Sequence, residues 1–256
     1  MYRLALHIFP ILQVGCFVAA LFLFETNLVV ALILLFCAAL FLNFSLHITI
    51  HHWVHFGVKN KAVKWVMETF YSILMGLAFS FYRMQHFNHH RYDNRIGDFT
   101  STWVKKGNSI AARPFFKYSF VWFLGPKMNT IFERAIKDGD LKNSERIKMR
   151  IQLLFVLAFY LFLFVLNPWF SAAYFLMFYV GWSLIAITNY GQHLPIKYDS
   201  TEAYTYSNSL YNWLFFNNGL HLEHHRNPHL NYPELKAKQH SEIAWPHLLI
   251  AFFRKK

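Results

Sequence analysis

Three observations predict an all-α membrane protein, with four transmembrane helices in two hairpins and a cytoplasmic helical cap carrying clusters of histidines. First, apolar residues make up 55% of the 256 residues and charged residues only 15%, where a soluble domain carries about 25% charged residues. Second, four apolar runs are long enough, or nearly so, to cross a bilayer as helix, which takes about 20 residues. Third, the 25 basic residues fall in blocks outside those runs. The aromatic content of 20% excludes a disordered chain. Cys16 and Cys37, the two cysteines, both lie inside apolar runs, which excludes a disulfide framework or a thiolate zinc cluster.

The predicted spans are 4–24, 28–50, 151–166 and 169–190. The first is not a signal peptide: it has little charge before it beyond Arg3, no small-residue cleavage site, and another span almost at once. The third is short, and Lys148 and Arg150 extend it by snorkelling. Glu25-Thr26-Asn27 joins the first pair and Asn167-Pro168 the second, neither with a Lys or Arg. One basic residue precedes the first span, seventeen lie between Lys59 and Arg150, and seven lie from Lys197 onward. By the positive-inside rule, the N-terminus, 51–150 and 191–256 are cytoplasmic and both turns face out. The net charge of +12 then reports topology and lipid-surface contact, with no nucleic acid as partner. The expectation is one domain over 1–256, multi-pass, in a bacterial inner membrane.

Within the middle segment, 65–82 and 115–124 are aromatic and apolar but broken by Glu68, Arg83, Lys117 and Pro126. They read as interfacial helices. A span over 65–82 would put the histidine clusters that flank it on opposite faces. Pro233 and Pro246 predict turns and short helices in the tail.

Fifteen histidines are many for this length, and eleven of them cluster. His47, His51, His52 and His55 end the second span. His86, His89 and His90 form HxxHH, and His221, His224 and His225 form a second. His193 stands just past the fourth span, one turn after Asn189. Every cluster falls on the predicted cytoplasmic side. Residues three and four apart on a helix share a face, so HxxHH presents its first histidine together with the other two. Those two neighbours diverge enough to reach different ions. His47, His51 and His55 form an i, i+4, i+8 stripe. Imidazole suits iron, zinc, copper or nickel. Eight or more histidines exceed the four ligands of a structural zinc site and call for two metals, with iron the natural choice for redox work. Single His7, His229, His240 and His247 read as ordinary polar residues.

On these residues the chain resembles the membrane fatty acid desaturases, within the wider superfamily of membrane di-iron desaturases, hydroxylases and ketolases. His86-Phe-Asn-His89-His90, with Asn94 and Asp98 trailing, is similar to the family's second box. Asn217-Asn-Gly219-Leu-His221-Leu-Glu-His224-His225 resembles the third, and Asn189-Tyr-Gly-Gln-His193 the extra ligand segment before it. The resemblance implies nine histidines around two iron ions: two from the first box, then His86, His89, His90, His193, His221, His224 and His225. Asn189 would sit near one iron through water, with Asn217 a second candidate. The first box lacks the family's frequent acid, and its pair is open among His47, His51, His52 and His55. His51 and His55 are favoured, with His47 in reserve. Asp93, Asp98 and Glu223 would orient imidazole N–H groups.

The implied activity is dioxygen-dependent oxidation of an unactivated C–H bond in a lipid acyl chain, giving a carbon–carbon double bond. The substrate would be a lipid or acyl-carrier thioester. The electrons would come from a separate ferredoxin- or rubredoxin-like protein with its reductase. Trp103 and Trp213 are candidates to line an acyl tunnel, and Lys105, Lys106 and Arg113 to meet a headgroup or anionic lipid. A hydroxylase or ketolase of the same superfamily shares the ligand set. A zinc hydrolase needs fewer ligands, and a non-enzymatic metal-binding protein would need a polar path that the spans lack.

Overall fold

The computed structural model describes residues 5–121, 128–139, 142–194, 198 and 203–237. They are mostly helical and form two compact units, Met1–Arg83 with Asn143–Ile185, and Met84–Lys142 with Ala186–Lys256.

The first unit begins with α1 (Ile8–Leu23) and α2 (Leu28–Phe44). The Asn27 side chain caps α2 by accepting from the Val30 N–H at 3.2 Å. A π-helical turn, Ser45–Ile50, then runs into α3 (His51–Phe56), so one continuous helix covers Leu28–Phe56. The second predicted span was expected to end at residue 50. It continues because nothing in Ser45–Phe56 breaks a helix before Gly57, whose positive φ closes it.

α4 (Lys61–Met75) starts at Asn60, whose side chain takes the Ala62 and Val63 N–H groups. It stops at Gly76, in the left-handed region at φ 60°, and Leu77 N–H returns to the Ser72 carbonyl. This is the glycine C-cap that a helix end favours. The expected helix over 65–82 is therefore two helices. α5 (Phe79–Tyr92) leaves at 85° to α4. Glu68 does not break α4. It is 1% exposed and ion-paired to Lys148 and Lys64, as a buried carboxylate requires.

α8 (Asn143–Leu166) and α9 (Pro168–Gln192) are longer than predicted at their starts or ends. The third expected span thus gains its missing length from helix and not only from snorkelling. Asn167 caps α9 through the Trp169 and Phe170 N–H groups. Its amide also donates to Glu25 at 3.0 Å, so the two tight turns touch. Ala20, Ala31, Leu35, Leu163, Phe170 and Tyr174 form a buried core among α1, α2, α8 and α9. The outer face of α8 stays bare: Leu154, Leu157 and Leu161 are each 64% exposed. An apolar helix with an uncovered apolar face is suited to lipid.

Among the described residues, three helices are long and apolar enough to cross a membrane: Leu28–Phe56, Asn143–Leu166 and Pro168–Gln192. The first expected span, 4–24, forms a 16-residue apolar helix, and Lys61–Met75 with Phe79–Tyr92 has the composition of a broken span.

The second unit adds a two-stranded sheet to the helices. Strands β1 (Trp103–Lys106) and β2 (Ser109–Ala112) pair antiparallel across a Gly107-Asn108 turn. Gly107 has φ 59°, which suits this two-residue turn. The expected helix over 115–124 is α6 (Phe115–Phe120), and its last residues lie outside the described ones. α7 (Met128–Lys137) follows. α10 (Ser209–Leu214) and α11 (His221–Arg226) complete the unit. A 3₁₀ turn at Tyr232–Glu234 contains Pro233 as expected, while Pro246 lies outside the described residues.

Candidate metal centre

α5 sets the second box. His86 and His90, one turn apart, bring their Nε2 atoms to 3.0 Å. His89 diverges from them. Its ring meets those of His193 and His225 edge-on, with centroids at 4.6 and 4.7 Å.

α11 sets the third box and needs more local shaping, since it has only six residues. The chain approaches it through Phe216 and Asn217, both left-handed at φ 51° and 62°. Asn217 is fixed by its amide nitrogen, which donates to the Tyr232 carbonyl at 2.8 Å. Gly219 follows, its N–H on Asn212 Oδ1 and its carbonyl accepting from Tyr206. A Cβ there would lie 2.4 Å from the Tyr206 carbonyl oxygen, so only glycine fits. His221 and His225 then place Nε2 atoms 3.2 Å apart, and His193 Nε2 is 3.0 Å from His221 Nε2. His224 turns the other way, 3.1 Å from His90 Nε2.

Two groups of the second unit result. His89, His193, His221 and His225 form one, and His86, His90 and His224 the other, with ligand atoms within 4.8 Å inside each. The groups abut, with His90 and His225 centroids 4.6 Å apart. In the first unit, His51 and His55 offer ligand atoms within the same limit, with ring centroids 5.4 Å apart. His47 turns to the Ile185 carbonyl at 3.4 Å, and His52 packs on Phe56.

The spacing fits a bound metal. At a metal–imidazole bond of about 2.1 Å, two ligands at right angles stand about 3.0 Å apart. His89 supplies a second test. Its Nδ1 lies 2.7 Å from Asp98 Oδ2, while its buried Nε2 makes no hydrogen bond among the described residues. With Nδ1–H donating to Asp98, the Nε2 lone pair points into a cluster of imidazoles, as a ligand's does.

The carboxylates differ. Asp98 is buried and accepts from His89, from the Asn94 N–H at 3.0 Å, and from the Thr100 N–H and hydroxyl at 2.7 and 2.8 Å. Burial alone would raise its pKa, but His89 and Thr100 hold the carboxyl below the usual carboxylate range. Asp93 Oδ1 lies 2.8 Å from His225 Nδ1, at ion-pair distance but without hydrogen-bond alignment. Glu223, also buried, accepts the Thr205 hydroxyl at 2.6 Å. Burial first, and then the neighbouring imidazoles led by His221, depress the pKa of His225 well below the ordinary value. It is therefore neutral at pH 7, the form that binds metal.

Asn189 directs its amide nitrogen to the Tyr118 hydroxyl and, at 3.4 Å, to the Thr100 carbonyl. Tyr118 donates to that same carbonyl at 2.7 Å. His7 stacks on Tyr71 and His229 is exposed, while His240 and His247 lie outside the described residues. Trp213 is 76% exposed. Trp103 meets Tyr198 edge-on, and its carbonyl accepts from Arg113 Nε.

Sequence reasoning missed Asn88 and Thr102. Asn88, inside the second box, donates to the Gly97 carbonyl and accepts from Phe99 N–H, which clamps both sides of Asp98. Thr102 and Asn94 both donate to the His193 carbonyl, at 2.7 and 3.3 Å. An amide between His86 and His89 was the available signal for Asn88.

The family model described as fatty acid desaturase matches residues 25–251. Comparisons with curated proteins and with solved structures gave no match.

Proposed function

We infer the function from one premise: the chain belongs to the fatty acid desaturase family. We propose that it is a membrane di-iron oxidoreductase that introduces a carbon–carbon double bond into a lipid acyl chain. The observation that carries this reading is the division of seven histidines into two abutting groups with facing Nε2 atoms 3.0–3.2 Å apart. His51 and His55 are the proposed first-box pair, since His47 and His52 have other neighbours. They complete a set of nine ligands with His86, His89, His90, His193, His221, His224 and His225.

Two iron ions held there would supply the oxidation of an unactivated C–H bond by dioxygen. The protein's part is to hold and to exclude. Asp98 keeps the His89 proton on Nδ1, so that Nε2 faces the metal. Asp93 stands beside His225 Nδ1 at 2.8 Å without hydrogen-bond alignment. Burial of His86, His89, His193, His221 and His224 keeps bulk water from the site. Neutral histidine ligands would leave the ions their positive charge, and the electrons would come from a separate donor protein. Asn189 acts through Tyr118 and Thr100 on the loop that carries Asp98. The basic segments support a site on the cytoplasmic face of the membrane.

Metal analysis of the purified protein is expected to give about two irons per chain; one zinc and no iron refutes the proposal. Lipid profiling of an expressing host is expected to show new double bonds. New hydroxyl or keto groups would instead assign the chain to the sibling activities of the superfamily.

A further inference from the structure

Between Asp98 and Glu133 the chain carries five basic residues and no acidic one. Three of them, Lys105, Lys106 and Lys117, are exposed and make no ion pair among the described residues. Lys105 and Lys106 end β1, and Lys117 lies on α6, directly behind the hairpin. Arg113, between β2 and α6, ties them to the start of β1. Its N–H donates to the Thr102 carbonyl at 2.8 Å and its Nε to the Trp103 carbonyl at 3.3 Å. Beside Lys117, Phe116 is 71% exposed.

Of the six exposed residues 105–110, only Ile110 has an apolar side chain. Lys105 pairs with Ile110 across the hairpin and Lys106 with Ser109, so each face of the tip carries a lysine. A segment that lies in a bilayer needs one strongly apolar face, and this tip has none. Cations around a single exposed aromatic suit a small protein contact, the size that electron-transfer partners form.

The residues beneath the patch point the same way. Tyr118 follows Lys117 and is buried. Its hydroxyl donates to the Thr100 carbonyl at 2.7 Å, and the Thr100 hydroxyl lies 3.1 Å from His89 Nδ1. Two short polar contacts thus connect the underside of α6 to a proposed metal ligand, a better route for an electron than a gap through space. We propose that Lys105, Lys106, Phe116 and Lys117 form the docking surface for an acidic one-electron carrier protein, with Tyr118 and Thr100 leading from it to His89. This rests on the di-iron reading. Each reduced carrier would pass one electron to one ferric ion, so two visits restore both ions to the ferrous state.

The test uses the full chain, loaded with iron, in phosphatidylcholine nanodiscs, with a plant-type ferredoxin as the acidic carrier. A carbodiimide, which joins carboxylates to amines without a spacer, is expected to link ferredoxin to Lys105, Lys106 and Lys117, as mapped by mass spectrometry. Reduced ferredoxin should reduce the bound iron at a rate that falls with added salt. The triple variant Lys105→Glu, Lys106→Glu, Lys117→Glu should slow that reduction by roughly tenfold or more, because such charges act mainly on the encounter rate. Dithionite, which needs no docking, should reduce both proteins equally. Cross-links confined to other residues, an unchanged ferredoxin rate in the variant, or equal slowing with dithionite overturns the proposal. So does protection of the three lysines from an amine reagent in phosphatidylglycerol nanodiscs without carrier, which would give the patch to the bilayer. A chain that holds no iron refutes the proposed function itself, whereas two irons with cross-links elsewhere refutes only the docking surface.

Discussion

Asp98→Asn isolates the carboxylate from its shape. Asp98 accepts four hydrogen bonds, His89 Nδ1 and Asn94 N–H on Oδ2, and the Thr100 N–H and hydroxyl on Oδ1. An amide can replace only one oxygen. If the NH₂ takes the Oδ1 place, the Thr100 hydroxyl can turn to accept, but the Thr100 N–H loses its acceptor. If it takes the Oδ2 place, it confronts two donors. His89 can escape by moving its proton to Nε2, which removes the lone pair that would bind metal. One buried donor left unmet costs about 1–3 kcal/mol. Loss of a hydrogen-bonded carboxylate behind a ligand costs about 10–100-fold in metal affinity. The expected result is therefore a lower melting temperature of the metal-free protein together with at least tenfold weaker retention of iron against a chelator. The two readouts separate folding from binding. Unchanged chelator resistance alongside the lower melt would refute the orienting role and leave Asp98 as a loop staple.

His90→Ala and His225→Ala are each expected to abolish product formation, with membrane insertion intact by protease protection; retained product would break the ligand assignment. Gly76→Ala meets two obstacles, the left-handed φ of 60° and a Cβ placed 2.4 Å from Phe178 Cζ. It should cost about 2–4 kcal/mol from the conformational and overpacking penalties together, visible as a lower denaturation midpoint. Asn88→Leu removes both clamps beside Asp98 and should weaken iron retention less than Asp98→Asn does, because the carboxylate remains. An effect as large as that of Asp98→Asn would show that the clamp alone sets the His89 orientation.

Much of this was legible because hydropathy and histidine spacing are properties of the chain itself. Apolar runs need length alone to announce helices, and HxxHH needs only the helical period. The losses came where a single residue outweighs its window. Gly76 divides an apolar stretch that reads as continuous, because a left-handed C-cap depends on one backbone angle. Gly107-Asn108 between Val104 and Ile110 is a hairpin signal, but it sits in a basic segment whose charge drew the reading toward the membrane surface. The start of α8 was missed because Asn143–Arg150 is polar, and polarity ends a span without ending a helix. The first-box pair could not be chosen from spacing, since three pairings satisfied it. The contact of His47 with the Ile185 carbonyl and of His52 with Phe56 supports His51 and His55 as the proposed pair.

The two HxxHH boxes are used in exchange. The second gives its i, i+4 pair, His86 and His90, to one group and its middle histidine, His89, to the other. The third gives His221 and His225 to the group of His89, and its middle histidine, His224, to the group of His86 and His90. The helical period enforces this, because residues i and i+4 nearly eclipse while i+3 falls to one side. Neither group can therefore be built from one box. α5 is a long helix with its own turns to hold it, whereas α11 is short and leans on left-handed Phe216 and Asn217, on Gly219 and on Asn212. Ligands bound in either group would fix both helices at once. A substitution in one box then loosens both groups, which is why His90→Ala and His225→Ala, in different groups, carry the same expected outcome.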